Sequence, residues 1–516
     1  MTITCPAPTA PPTTHTSHDA APANVPCADC LQWARRSLAE WAGDHAGPTV
    51  DVHDPASGKW LWAVPALDAG AALRAVENAS AVWPAWRARP AGERAQCLRR
   101  WAALMRGDAE RLAVVLTLEQ GKPLFESRQE IAYAASYLDW FADESLRIGG
   151  ELLPSHLAGS RLLLRREPIG VTAAVTPWNF PVAMVVRKAA AALAAGCVMV
   201  LKPAPQTPAS AILQQRLALE AGIPAGAFQV LTGDAEELVS VWTASDTVRH
   251  FSFTGSTEVG RRLLARCAAT VKKVALELGG HAPFIVLPGA DLERAVADAV
   301  AAKFATTGQD CLAVNRFIVH ASLYEPFCQR LADVMRTLKV GRGLDDGVHL
   351  GPLIDARAVQ RCQAQVDDAL AQGARLLTGG TAHPLGPNFY PPTMLVGLQP
   401  TMRLFREETF GPVAAAMPFD DVAQAITLAN DSHYGLAAYV QGPDALQAWR
   451  LGEALDYGMV AVNTARMTGA QVPFGGVKHS GLGREGSRHG LEEFTQLRYL
   501  CLADRGDVDA RALIHS

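Results

Sequence analysis

From about residue 170 the chain settles into one rhythm, and that rhythm restricts its fold more than any other feature. Apolar, strand-like runs stand at Val171–Thr176, Cys197–Leu201, Phe228–Leu231, Val248–Phe253 and Val271–Leu276, with helical stretches over 181–195, 207–221, 234–244 and 256–268 between them. Continuous apolar strands separated by helices of that length predict βαβ units, and hence a parallel sheet covered on both faces. The alternation continues less cleanly from 284 to 480, with a strand at Arg316–Val319 and a long helix over 355–372. Upstream, 68–145 carries the 3.6-residue periodicity of four helices, the last running from about Pro123 to Glu144. The stretch 151–168 reads as extended, with Leu162-Leu163-Leu164 set between arginines, and suits a hairpin arm outside the core. The expectation is an α/β protein of two doubly wound domains plus a small β arm. No internal repeat is evident.

Composition narrows the class. At 516 residues and 49% hydrophobic, the chain has apolar material for more than one core. Its 47 basic and 51 acidic side chains give a net charge of −4, which offers no electrostatic footprint for nucleic acid. Residues 1–24 contain no Lys or Arg and no apolar core, so they do not read as a secretory signal. The longest apolar run, Ala189 to Leu201, is too short to span a bilayer. The ten cysteines are scattered, which fits a reducing cytoplasm better than a disulfide framework. Cys27 and Cys30 form a close pair, but no second ligand pair follows, so no metal site is expected.

Anions are held best at helix N-termini beyond the carboxyl ends of parallel strands. No Gly-x-Gly-x-x-Gly fingerprint occurs in 171–280; instead the strand Val248–Phe253 runs into Thr254-Gly255-Ser256-Thr257-Glu258-Val259-Gly260 and a helix. Gly255 permits a tight turn, and Ser256 with the amides after it faces any anion there. Alone, Gly-x-x-x-x-Gly is a weak signal, and a plain βα turn is the favoured reading. The strand ending at Leu201 is followed by Lys202-Pro203-Ala204, a lysine suited to ribose hydroxyls or phosphate, or merely a solvated strand end.

Two further features point to chemistry. Val274-Ala275-Leu276-Glu277-Leu278-Gly279-Gly280 puts a lone carboxylate at the end of an apolar strand, costly unless paired or reactive. Gly308-Gln309-Asp310-Cys311 puts a thiol in a small polar loop rather than an apolar stretch.

Together with Thr176-Pro177-Trp178-Asn179-Phe180-Pro181, Glu407-Glu408-Thr409-Phe410-Gly411-Pro412, Pro473-Phe474-Gly475-Gly476-Val477-Lys478 and Ser480-Gly481-Leu482-Gly483-Arg484-Glu485-Gly486, these segments resemble the aldehyde dehydrogenase superfamily, and most its succinate-semialdehyde dehydrogenase branch. The likeness runs in order from roughly 50 to 502. It implies a dinucleotide-binding domain over 31–148 and 168–286, a catalytic domain over 287–490, and an oligomerisation arm from 149–167 and 491–516. A tail over 1–30, disordered or extended, precedes them, and the assembly would be a homodimer or homotetramer.

The resemblance also implies roles. Cys311 would be the nucleophile, Asn179 an oxyanion donor, Glu277 the general base, and Lys188 with Glu485 a proton relay. Thr176, Pro177, Trp178, Lys202, Ala204, Gly255, Ser256, Glu408 and Phe410 would contact the cofactor. Relatives selective for NAD carry a glutamate where Pro205 stands; its absence implies NADP, with NAD tolerated. Arg187 and Arg316 match two arginines of the branch that would hold a substrate carboxylate, for which a planar guanidinium is well shaped. The branch usually has a serine loop before Pro473; here Ala465 to Val472 supplies Thr468 and an additional charge, Arg466. Succinate semialdehyde is the expected substrate, with glutarate semialdehyde or a sulfonated aldehyde as alternatives and a CoA-acylating reaction as a more distant one. His281 and Asp310 depart from the family pattern.

Overall fold

The computed structural model describes residues 27–503. The expected tail therefore falls mostly outside the described residues, although its last four are helical: Cys27–Ala42 forms a helix that buries Cys30, Trp33, Ala34 and Leu38 against the larger core. Those apolar residues recur at helical spacing, which is what draws the segment onto the body. A hairpin of Thr49–His53 and Trp60–Pro65, absent from the sequence reading, follows.

Four helices, Ala69–Ala88, Ala91–Gly107, Ala109–Gln120 and Leu124–Ser145, occupy the region where four were expected. Beyond them, strands Val171–Val175, Val198–Lys202, Phe228–Val230, Val248–Thr254 and Lys273–Glu277 pair in parallel. Across the sheet they lie in the order 273–277, 248–254, 171–175, 198–202, 228–230. The strand order reverses between 171–175 and 248–254, and a crevice opens at such a switch point. Local chemistry fixes the intervening helices. Asp234 and Ser256 accept N–H groups at the starts of the helices Ala235–Ala244 and Thr257–Ala268. The Ala-rich helix Ala183–Ala195 stops at Gly196, whose φ of 90° closes its C-terminus.

A second sheet has the order 375–378, 393–396, 413–419, 314–320, 282–286, 437–441, 459–462, parallel except for its first strand. Both sheets are flanked by helices, as the alternation predicts. The two are tied together: Gly481–Leu482, downstream of the second sheet, adds an antiparallel strand to the first by pairing with Glu277 and Leu276. The extended stretch forms a hairpin of Gly150–Leu153 and Ser160–Pro168, completed by Thr495–Ala503 into a three-stranded antiparallel sheet. No helix among the described residues is long and apolar enough to cross a membrane.

Candidate active site

Cys311 sits in the loop between a short 3₁₀ turn, Ala305–Gly308, and the buried strand Val314–His320. Two cavities meet at it. The first, about 380 Å³, is lined by Glu126, Tyr133, Arg187, Asp310, Cys311 and Thr468 among others. The second, about 240 Å³, is lined by Trp178, Asn179, Glu277, Cys311, Glu408 and Phe410, with Pro177, Gly255 and Ser256 toward the first sheet. Met184 is the other side chain common to both walls.

The motif glycines make this convergence possible. A Cβ on Gly280 would lie 2.0 Å from the Cys311 carbonyl oxygen, and one on Gly475 would lie 2.9 Å from Glu277 Oε1. Glycine lets backbone and carboxylate approach where a side chain would intervene.

Glu277 is buried at the end of its strand, and neither carboxylate oxygen has a hydrogen-bond partner among the described residues. Burial, reinforced by the Glu485 charge, holds its carboxyl well above the ordinary range. The Cys311 thiol is also raised well above its usual value, by desolvation and then by the carboxylates of Asp310, Glu408 and Glu277. Asn179 directs its Nδ2 to the Gln309 carbonyl at 3.0 Å, while its own carbonyl accepts Lys122 Nζ at 2.7 Å.

That lysine belongs to a buried pair that sequence reasoning missed. Lys122 Nζ lies 2.7 Å from Glu130 Oε2, and Glu130 Oε1 accepts the N–H groups of Val182 and Ala183 at 2.9 and 3.0 Å. Glu130 thus caps the helix that carries Arg187 and Lys188, and Lys122 anchors the loop that carries Asn179. Opposite charges eight residues apart were the available signal, but that spacing resembles an ordinary solvated face.

Lys188 donates to Ser252 Oγ at 2.9 Å and to Glu485 Oε1. Arg187 Nε is paired with Glu485 Oε2 at 2.5 Å, and its guanidinium lies 4.3 Å from the centre of the Phe474 ring. Glu485 is itself positioned by backbone bonds to Phe474 in both directions. Lys188 and Glu485 are therefore brought together near Glu277.

The cofactor candidates fall into two groups. Glu408 Oε1 accepts the Gly280 N–H at 3.0 Å, and burial raises its carboxyl to about 7. Phe410, with φ of 51°, packs edge-on to Trp178 at 5.5 Å. Arg361, a further wall residue not foreseen, fixes that turn through the carbonyls of Thr409 and Phe410. Lys202 and Ala204 instead line a shallow crevice with Pro205, Thr232 and Gly233 at the end of strand Val198–Lys202. Burial lowers the Lys202 ammonium to about 8. Thr176 is buried, and its hydroxyl has no partner among the described residues.

Two expected substrate residues lie elsewhere. Arg316 lines neither cavity. Its guanidinium donates to the carbonyls of Leu428, Ala429 and His281 at 2.8, 3.0 and 3.1 Å and to the Tyr457 hydroxyl at 2.8 Å, so it braces the second sheet. Arg466 is exposed and lines neither cavity, although Thr468 two residues later does. His281 is explained by packing: its ring stacks on Tyr434 at 5.9 Å and its Nε2 meets the Leu404 carbonyl at 3.2 Å.

The sequence profile described as "Aldehyde dehydrogenase family" matches residues 41–500. The chain is 49% identical over 463 residues to a succinate-semialdehyde dehydrogenase [NADP(+)], GabD, of Escherichia coli (strain K12), spanning 90% of this chain and 96% of that protein. It is 48% identical over 464 residues to a glutarate-semialdehyde dehydrogenase of Pseudomonas putida, with 90% and 96% covered. A crystal structure of succinate-semialdehyde dehydrogenase from Burkholderia pseudomallei superposes with a TM-score of 0.88 at 50% identity, covering 88% of this chain and 95% of that one.

Proposed function

The chain belongs to the aldehyde dehydrogenase family, and from that premise we propose that it oxidises a carboxylate-bearing semialdehyde, with succinate semialdehyde as the reference substrate, to the corresponding acid. The observation that carries this reading is that one thiol, Cys311, lines both cavities, with Asn179 and the unpartnered Glu277 on the second wall.

In this reading the aldehyde enters the first cavity and the Cys311 sulfur attacks its carbonyl carbon. Negative charge developing on the carbonyl oxygen is met by the Asn179 amide and the Cys311 backbone N–H, donors of the kind worth about 3–4 kcal/mol each. Loss of hydride leaves a thioester on Cys311. Glu277 then takes a proton from water as the water attacks the thioester carbon, and the thiol departs. Lys188 and Glu485 relay that proton onward through Ser252. Arg187 is the only cationic side chain among the residues lining the first cavity, which suits a carboxylate on the substrate tail.

The second cavity fits a nicotinamide dinucleotide. Its donor set combines a buried carboxylate at Glu408 for ribose hydroxyls, the apolar Phe410 and Trp178, and the helix start at Ser256 for phosphate. Lys202 and Ala204 would hold the adenosine end, with Thr176 behind them. When bound, the cofactor supplies the hydride acceptor. No carboxylate stands at Pro205 to repel a 2′-phosphate, so NADP is the expected partner and NAD is tolerated.

The arm exposes Leu152, Leu497, Tyr499 and Leu502, each more than half accessible. A surface of that kind supports a homodimer or homotetramer, and a catalytic thiol supports the cytoplasm as its compartment.

The test is a panel of succinate semialdehyde, glutarate semialdehyde, a sulfonated aldehyde and an uncharged aliphatic aldehyde, each with NADP and with NAD. Turnover of succinate semialdehyde above the uncharged control, and faster with NADP, supports the proposal; activity confined to uncharged aldehydes, or strictly dependent on CoA, overturns it.

A further inference from the structure

Attack on an aldehyde requires the Cys311 thiol to give up its proton, and its surroundings hold that proton firmly. Desolvation, then the charges of Asp310, Glu408 and Glu277, raise the thiol well above its usual range. A base must therefore receive the proton as sulfur attacks. No histidine or lysine lines either cavity, which leaves the carboxylates.

Most of these are engaged elsewhere. Glu130 meets Lys122 and two backbone amides, Glu126 accepts the Thr306 N–H at 3.0 Å, and Glu408 accepts the Gly280 N–H at 3.0 Å. Glu277 has no hydrogen-bond partner at either oxygen among the described residues, so no bond joins it to the thiol. Asp310 differs. Its Oδ1 accepts the Leu312 N–H at 3.0 Å, and its side chain is hydrogen-bonded to that of Cys311. The Tyr439 hydroxyl donates to the Leu312 carbonyl at 3.1 Å and pins the same loop. Lys122 and Arg187 face Asp310 and favour its ionised form, opposing its burial and the nearby carboxylates of Glu126 and Glu408.

We infer that Asp310 receives the Cys311 thiol proton as sulfur attacks the aldehyde, and returns it when the thioester is cleaved. This rests on the reading of Cys311 as nucleophile and deepens it by dividing the base work between two carboxylates. In the first half, the S–H bond breaks as the S–C bond forms, the proton goes to Asp310, and the carbonyl electron pair goes to oxygen. Loss of hydride then gives the thioester. In the second half, Glu277 takes a proton from the attacking water, the C–S bond breaks, and the departing sulfur recovers its proton from Asp310. Asp310 is thus a catalytic residue for the first half, and Glu277 for the second.

Two measurements on the full-length enzyme test this, each followed against pH: the burst of reduced cofactor with succinate semialdehyde, and alkylation of Cys311 by iodoacetamide without cofactor. Asp310→Asn keeps an oxygen for the Leu312 amide, and Asp310→Ser supplies a second variant without a base. Both variants are expected to slow the burst by about a hundredfold or more at neutral pH and to erase its acid limb. Glu277→Gln keeps the burst and that limb. Alkylation at neutral pH also slows in the Asp310 variants. A residue acting only as a neighbouring charge would do the opposite, since removing it eases ionisation of the thiol. Unchanged or faster alkylation and burst in both variants overturns the inference, as does loss of the burst limb in Glu277→Gln instead. A wild-type enzyme with no burst, whose alkylation still depends on Asp310, overturns the proposed function and leaves the pairing of Asp310 with Cys311 standing.

Discussion

The Nε of Arg187 lies 2.5 Å from the Oε2 of Glu485, and both side chains are buried. The same carboxylate holds Lys188 through its other oxygen. One anion therefore compensates two adjacent cations, and substrate must compete with Glu485 for Arg187. Replacing Glu485 by Gln leaves two buried cations side by side, a change that typically destabilises by about 3–5 kcal/mol. Urea denaturation is expected to show a lower midpoint of that order, with stopped-flow kinetics reporting a slower proton-dependent step in the surviving enzyme.

The two arginines matched to the substrate carboxylate are expected to behave differently. Arg187→Leu raises KM for succinate semialdehyde by about tenfold or more, since a charge-assisted contact is lost. Arg316→Leu leaves several buried acceptors without donors, so it lowers the melting temperature by several degrees and leaves KM within about twofold. A raised KM in the folded Arg316→Leu protein would contradict the bracing role.

Cys311→Ala removes the proposed nucleophile, a half-buried loop side chain. Turnover is expected to fall by at least about three orders of magnitude, with far-UV circular dichroism unchanged. Retained dehydrogenase activity would end the proposed mechanism.

Much of this was legible in the sequence, and the exceptions share a cause. Strand and helix positions followed from periodicity, and Cys311, Asn179 and Glu277 do face one cavity. Arg316 misled because it is only five residues beyond Cys311; the strand Val314–His320 carries it into the sheet, where backbone carbonyls meet it. Glu126 and Glu130 sit four apart on one helix and read as solvated. Docking against the segment before Cys311 and the start of the helix Ala183–Ala195 gives them their partners. The contact between Arg187 and Glu485 joins segments about 300 residues apart, a separation that no local pattern encodes.

As the proposed base, Glu277 is expected to set the pH dependence. Its carboxyl is held above the 4.5 of an ordinary glutamate, chiefly by burial. A base acts only when ionised, so hydrolysis rises as pH climbs through that raised value, and the acid limb of kcat is displaced upward. For stability the sign is opposite: the contribution is fully present below 4.5 and is lost as pH rises through the folded-state value. Glu277→Gln should abolish this limb, release about one reduced cofactor per site in a burst and then stall.

Cofactor choice is testable at the Lys202 crevice. Pro205→Glu places a carboxylate beside Ala204 and Lys202. Kinetics with both cofactors should show kcat/KM for NADP falling by about tenfold or more, with NAD changed far less.

The pairing of Gly481–Leu482 with Leu276 and Glu277 has a consequence for the order of synthesis. Cys311, Asn179 and Glu277 all leave the ribosome well before the segment that supplies Phe474, Gly475 and Glu485. Until that segment arrives, Glu277 lacks its neighbouring strand and Arg187 its counter-charge. The arm follows the same logic, since Ser160–Pro168 awaits Thr495–Ala503. A chain halted before residue 474 thus carries Cys311 without the strand and the counter-charge that complete its surroundings.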